Sequence, residues 1–155
     1  MILHSVIFAV LLISDQLTKL WAETALKSGS IPFIPKVLDF TYVQNRGIAF
    51  GMLQDMHYII IPLTIAIMAL CIFLAVKAYR KGKKIETLSL VLIVSGAVGN
   101  VIDKIRLGYV VDFIHTLFMD FPVFNLADVF ICIGAGLLFV YILFFDKEEK
   151  NDNHK

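Results

Sequence analysis

The chain has 155 residues, of which 59% are hydrophobic and 17% charged, and its mean hydropathy is +0.82. That length suggests one domain, and the composition excludes an ordinary soluble globule, which needs more polar surface to cover a core of this size. A net charge of +1 leaves no electrostatic footprint for a nucleic-acid partner, so the placement of charge matters more than its sum.

The first apolar run extends from Ile2 to Ser14 and is interrupted by Asp15 and Gln16. It lacks a preceding basic region, and the polar pair arrives before any cleavage site, so an uncleaved segment is expected. Leu17, Leu20, Trp21 and Ala25 keep the helical spacing, which predicts one helix from Ile2 to Leu26. Asp15 and Lys19 share a face of it. The ordinary reading is an i,i+4 pair with Lys19 reaching toward the interface. The functional one is that Asp15 orients something in a polar site.

From Ser28 to Asp55 the chain reads as a connection. Gly29, Pro32 and Pro35 break helix, while Val37 to Val43 and Ile48 to Leu53 are β-prone. Gln44-Asn45-Arg46-Gly47 between them reads as a turn, which predicts a small hairpin outside the bilayer. Turn chemistry alone accounts for Asn45 and Gly47; the alternative places both beside a bound peptide.

Met56 to Val76 is uncharged over the length of a spanning helix, with Pro62 near its start, where a missing N–H is best tolerated. Lys77, Arg80, Lys81, Lys83 and Lys84 then crowd a short loop, which the positive-inside rule places in the cytoplasm. His57 has no metal-spaced partner and reads as an interfacial side chain. Cys71 and Cys132 lie inside apolar runs and read as packing residues.

The third run, Thr87 to Ile102, carries Gly96 and Gly99, which allow another helix to approach closely. At its end Asn100, Asp103 and Lys104 crowd one side, with Arg106 and Gly108 following. The fourth run, Val129 to Phe145, ends at a charged segment whose residues 148–155 are expected to form a disordered cytoplasmic tail, leaving 1–147 as one domain. Between these runs, Phe113, Leu117, Phe118 and Phe121 have the spacing of one apolar helical face, which predicts a short interfacial helix. The expected fold is therefore an all-α membrane protein with four transmembrane helices. A small extracytoplasmic β segment lies between the first two, and the short interfacial helix between the last two.

A cytoplasmic basic loop puts both termini inside and Asp15, Asn45, Asn100, Asp103, Asp112, Asn125 and Asp128 toward the outer face. Snorkelling residues would not sort to one side in this way. Asn125 fits an N-cap with Asp128 at N3, and Asp112 fits a cap of the interfacial helix. Against these capping roles stands the convergence of both acids on one outer loop. Two carboxylates pressed together near low dielectric share a proton; the ionised member can activate water while the protonated one polarises a carbonyl. That chemistry cleaves an amide with neither a metal nor a cofactor. The rival readings are a proton-coupled transporter, disfavoured because the second and fourth runs are almost wholly apolar, and a non-catalytic assembly subunit in which the aspartates are caps.

Five stretches in order carry a resemblance: Asp15 to Lys19, Asn45 to Phe50, Gly96 to Asp103, Val110 to Phe113, and Phe124 to Asp128. Together they resemble the lipoprotein signal peptidases (signal peptidase II) of the bacterial plasma membrane, over nearly the whole chain. The resemblance implies that Asp112 and Asp128 are a catalytic dyad and that Asp15, Asn45, Asn100 and Asn125 line the site. Lys19, Gly47, Asp103, Lys104 and Arg106 join them as candidate orienting residues. It further implies a prolipoprotein substrate with a diacylglyceryl-modified cysteine, cut just before that cysteine, and inhibition by globomycin-type peptides. Membrane lipids are the remaining expected partners, and a monomer is the expected state. The family usually has arginine where Lys104 stands, which leaves either Lys104 or Arg106 as the orienting cation, since lysine lacks the planar bidentate fork.

Overall fold

The computed structural model describes residues 1–47 and 56–145. Four helices form its frame: α1 (Ile2–Ala25), α2 (His57–Arg80), α3 (Lys84–Leu107) and α4 (Leu126–Phe144). Each is long and apolar enough to cross a membrane. Most of their large apolar side chains face outward, from Val6 and Val10 on α1 to Phe139 and Phe144 on α4, as expected of helices solvated by lipid.

The most enclosed helix is α3, which packs against the other three, whereas α1 and α2 have little contact with each other. Its glycines explain the close approach. A Cβ on Gly96 would collide with the Ala127 carbonyl and lie 2.8 Å from Ile131 on α4. On α4, a Cβ on Gly134 would stand 2.6 Å from the Ser89 carbonyl oxygen. A Cβ on Gly99 would run into the Asp15 carboxylate, so this glycine makes room for an acid of α1.

Three strands cover one end of the bundle: β1 (Ile31–Ile34), β2 (Leu38–Asn45) and β3 (Val110–Thr116), antiparallel in that order. One expectation for this region, the interfacial helix, needs correction. The strand predicted over Val37 to Val43 does form, but its partners are β1 and β3; the expected second arm, Ile48 to Leu53, lies outside the described residues. The interfacial helix predicted around Phe113 is strand β3 followed by irregular chain. Val110, Val111, Phe113, Ile114 and Thr116 favour the pleated conformation, and β2 offers them an edge, so cross-strand pairing wins over a helical spacing of aromatics. The tail residues 148–155 and the His57 side chain also lie outside the described residues. Both cysteines are free thiols.

The sheet packs on the last turns of α1. Val111 and Phe113 point into a cluster with Ala22 and Leu26. Trp21 meets Phe40 and Phe113 edge-on, at 5.3 and 6.2 Å between ring centres. Strand alternation then directs Asp112 to the opposite face of β3.

Candidate active site

The sheet register determines which side chain meets Asp112. Phe40 is opposite Ile114, but after a one-residue irregularity Val43 is opposite Asp112 and Asn45 opposite Val110. Without that bulge, Asn45 would lie on the other face of the sheet. With it, Asn45 Nδ2 donates to Asp112 Oδ2 at 2.9 Å. The chain then folds back beyond β3: Ile114 and Phe124 exchange backbone hydrogen bonds of 2.8 and 3.1 Å. Asn125 follows immediately, and its Nδ2 donates to Asp112 Oδ1 at 2.6 Å.

Asn125 also begins α4. Its Oδ1 accepts from Asp128 N at 3.1 Å, and Asp128 Oδ2 accepts from Asn125 N at 3.1 Å, a complete capping box. The capping reading of Asp128 is therefore realised with one of its oxygens. The other, Oδ1, accepts from Asn100 Nδ2 at 2.9 Å. Asn125 is thus the shared neighbour of both aspartates.

The orientations of all three amides are fixed, because each Oδ1 is engaged by a group that can only donate. Gly47 N donates to Asn45 Oδ1 at 3.0 Å, Lys19 Nζ to Asn100 Oδ1 at 2.8 Å, and Asp128 N to Asn125 Oδ1. Each NH₂ must therefore face a carboxylate. The Asn45 amide thus closes the turn through its oxygen and reaches Asp112 through its nitrogen.

Behind the pair lies a buried ionic cluster. Lys19 Nζ is 3.0 Å from Asp15 Oδ2 and 3.2 Å from Asp103 Oδ2, and all three side chains are at most 1% exposed. Lys19 therefore points inward, contrary to the snorkelling expectation. Asp15 Oδ1 accepts from Ala127 N at 3.0 Å, and Asp103 Oδ2 from Val111 N at 3.2 Å. These bonds tie α1 to the start of α4 and α3 to the strand that bears Asp112.

Asp112 and Asp128 both line a cavity of about 230 Å³. Asn45, Gly47, Thr64, Asn100 and Lys104 contribute its other polar groups, and Ile60, Ala97, Val101 and Ile131 much of its apolar wall. Lys104 Nζ donates to the Gly47 carbonyl at 2.9 Å. Arg106 is exposed and does not line this cavity, since two residues beyond Lys104 on a helix faces away from it. Asp112 is 2% exposed; burial first, and then the charge of Asp128, push its carboxyl up to about 7 against the opposing donors Asn45 and Asn125.

Residues 7–144 match the model of the signal peptidase (SPase) II family. The chain belongs to that family. Relatives called lipoprotein signal peptidase include those of Halothermothrix orenii, 44% identical over 139 residues (88% of this chain, 92% of that one), and Streptococcus thermophilus, 42% identical over 141 residues (90% of each). That of Clostridioides difficile is 41% identical over 149 residues, 96% of this chain and 99% of its own. A bacterial membrane enzyme solved by the in meso method matches with a TM-score of 0.85 at 32% identity, covering 98% of this chain and 91% of its own. Membership in the signal peptidase II family makes the chain a peptidase, and with its four helices a multi-pass bacterial membrane protein.

Two polar contributors were missed in the sequence. Gln16 Nε2 donates to Asp15, Asp103 and the Gly99 carbonyl at 3.2 to 3.3 Å, bracing the ionic cluster. Thr64 on α2 lines the cavity. The signal was present in both cases: a polar residue in an otherwise apolar run.

Proposed function

We propose that the protein is an intramembrane aspartic endopeptidase that removes signal peptides from diacylglyceryl-modified prolipoproteins, cutting just before the lipidated cysteine. The observation that carries this reading is the common wall: Asp112 and Asp128 face one cavity and are joined through Asn125. In the proposed mechanism Asp112 holds the shared proton and Asp128 is ionised. Asn45 and Asn125 each occupy one oxygen of Asp112, so its proton is left to point into the cavity, where it polarises the scissile carbonyl. Asp128, at the N-terminus of α4, takes a proton from the attacking water. That proton then goes to the departing amine as the tetrahedral intermediate collapses, and Asp112 recovers its own. Lys104 stays as a fixed cation at the cavity wall, a point charge in place of a bidentate fork.

The same reading places the cavity near the extracytoplasmic face and both termini in the cytoplasm, because the basic loop Lys77 to Lys84 lies at the other end of the bundle. It makes residues 1–147 one domain that acts as a monomer, with globomycin-type peptides competing for the cavity.

The direct test is incubation of the purified chain with a precursor carrying diacylglycerol on its cysteine, with product masses locating the cut. Cleavage before the lipidated cysteine is expected, and the unmodified precursor should react roughly tenfold more slowly or worse, having lost remote binding energy. Equal rates on the two precursors would reject the substrate assignment. The pH profile tests the proton assignment. Asp112 must be protonated, so the rate should fall as pH rises above about 7, where that proton is lost. A rate still level at pH 9 would remove Asp112 from the acid role.

A further inference from the structure

The opposite end of the bundle holds a second cavity, of about 300 Å³, that shares no lining residue with the first. It occupies the gap that α1 and α2 leave over α3. Phe8 of α1, Ile72 and Ala75 of α2, and Val91, Val94 and Val98 of α3 make its wall almost wholly apolar. Along α3 the wall runs from Thr87 to Val98. At about 1.5 Å per residue that is roughly 16 Å, close to half of a hydrocarbon core about 30 Å thick, the depth of one leaflet. Water finds no partners along such a wall.

Polar features gather at the basic-loop end of the groove. His4 lines the cavity one turn into α1, and its Nδ1 is buried without a hydrogen-bond partner among the described residues. The ring of Tyr79 stands edge-on to it at 5.7 Å. The turn joining the two walls α2 and α3 carries Lys77, Arg80, Lys81, Lys83 and Lys84, of which all but Lys83 are exposed. The acid of this stretch, Glu86, is 3.8 Å from Lys83.

We propose that this groove binds an anionic phospholipid of the leaflet on the basic-loop side. One acyl chain fills the apolar length, and the phosphate lies against Arg80, Lys81 and Lys84. The length of the groove fits a lipid tail, and the sign of its rim selects the head group: a zwitterionic lipid offers the same tail, but its cationic group meets a basic surface. The inference rests on the bundle crossing the bilayer and not on the peptidase chemistry, so cleavage activity reports separately on the dyad.

The experiment is native mass spectrometry of the full chain in detergent, supplied with phosphatidylglycerol and phosphatidylcholine of identical acyl chains. Phosphatidylglycerol should be retained with roughly tenfold preference. A triple Arg80→Gln, Lys81→Gln, Lys84→Gln variant should bring the two lipids near parity, and Ala75→Trp, which fills the groove, should abolish retention of both. Should Ala75→Trp fail to fold, Val91→Met narrows the groove from α3 and must show the same loss. Equal retention of the two lipids by the unaltered chain, a preference untouched by the charge substitutions, or retention undiminished in a folded groove-filled variant would each overturn the proposal.

Discussion

Asp112→Asn and Asp128→Asn should each lower cleavage by roughly 10³- to 10⁴-fold while the fold persists, the range expected when a positioned acid or base is lost. The donor arrangement makes these substitutions informative beyond the loss of charge. The amides of Asn45 and Asn125 both present NH₂ to Asp112, and neither can turn, because Gly47 N and Asp128 N hold their oxygens. An asparagine at 112 must therefore set its own NH₂ against one of them and forfeit a hydrogen bond. At 128 the new amide meets Asn100 Nδ2 on one side and Asn125 N–H on the other, with the same result. Each variant thus loses about 1–3 kcal/mol of stability, a cost the folded protein can show in its unfolding midpoint. If the pair acts as one unit, the double variant should be no slower than the slower single one. A rate within tenfold of the unaltered chain for either single variant, with the protein folded, would reduce these aspartates to helix caps and structural acids.

The frame was legible in the sequence for simple reasons. Apolar runs of spanning length left little choice but helices, and the Asn125–Asp128 spacing marked the start of α4 to the residue. The spacing of Phe113, Leu117 and Phe118 suggests a helix where Phe113 to Thr116 continue strand β3, because the strand's pairing partner lies some 70 residues earlier in the chain and periodicity sees only local order. The same limit hid why Asn45 and Asp112 meet: the bulge after Phe40 belongs to the register of two distant strands. Polar type picked out most of the polar residues that line the cavity, since an unexplained amide or acid beside lipid stands out. Direction was not legible. Lys19 and Arg106 are both cations near a helix end, yet one turns inward to two carboxylates and the other outward. The choice depends on which neighbour brings an acid, and α3 brings Asp103 only to the inner face.

That inward turn of Lys19 carries the largest stability effect expected for any side chain of α1. Were Lys19 a snorkelling partner of Asp15, its loss would cost at most about 1 kcal/mol, as for exposed pairs. Buried between Asp15 and Asp103, it is the cation that two enclosed carboxylates share. Lys19→Met keeps the stem but leaves both acids uncompensated, and breaking a buried pair in this way costs about 3–5 kcal/mol. The loss should be large in a denaturation midpoint measured in detergent micelles. Adding Asp103→Asn to Lys19→Met removes one of the stranded charges, so the double variant should be less destabilised than the sum of the two singles, with a coupling of about 1–3 kcal/mol. Catalysis should suffer by a separate route. Lys19 Nζ and, at 3.2 Å, Asn125 Nδ2 hold Asn100 Oδ1; without the lysine only that longer bond keeps the amide from turning its oxygen toward Asp128, an acceptor against an ionised acid. Partial recovery of stability in the double variant without recovery of the rate would separate the two roles, since Asp103→Asn relieves the charge but does nothing to orient Asn100. An unfolding midpoint for Lys19→Met equal to that of the unaltered chain would mean that the cation does not serve the buried cluster at all.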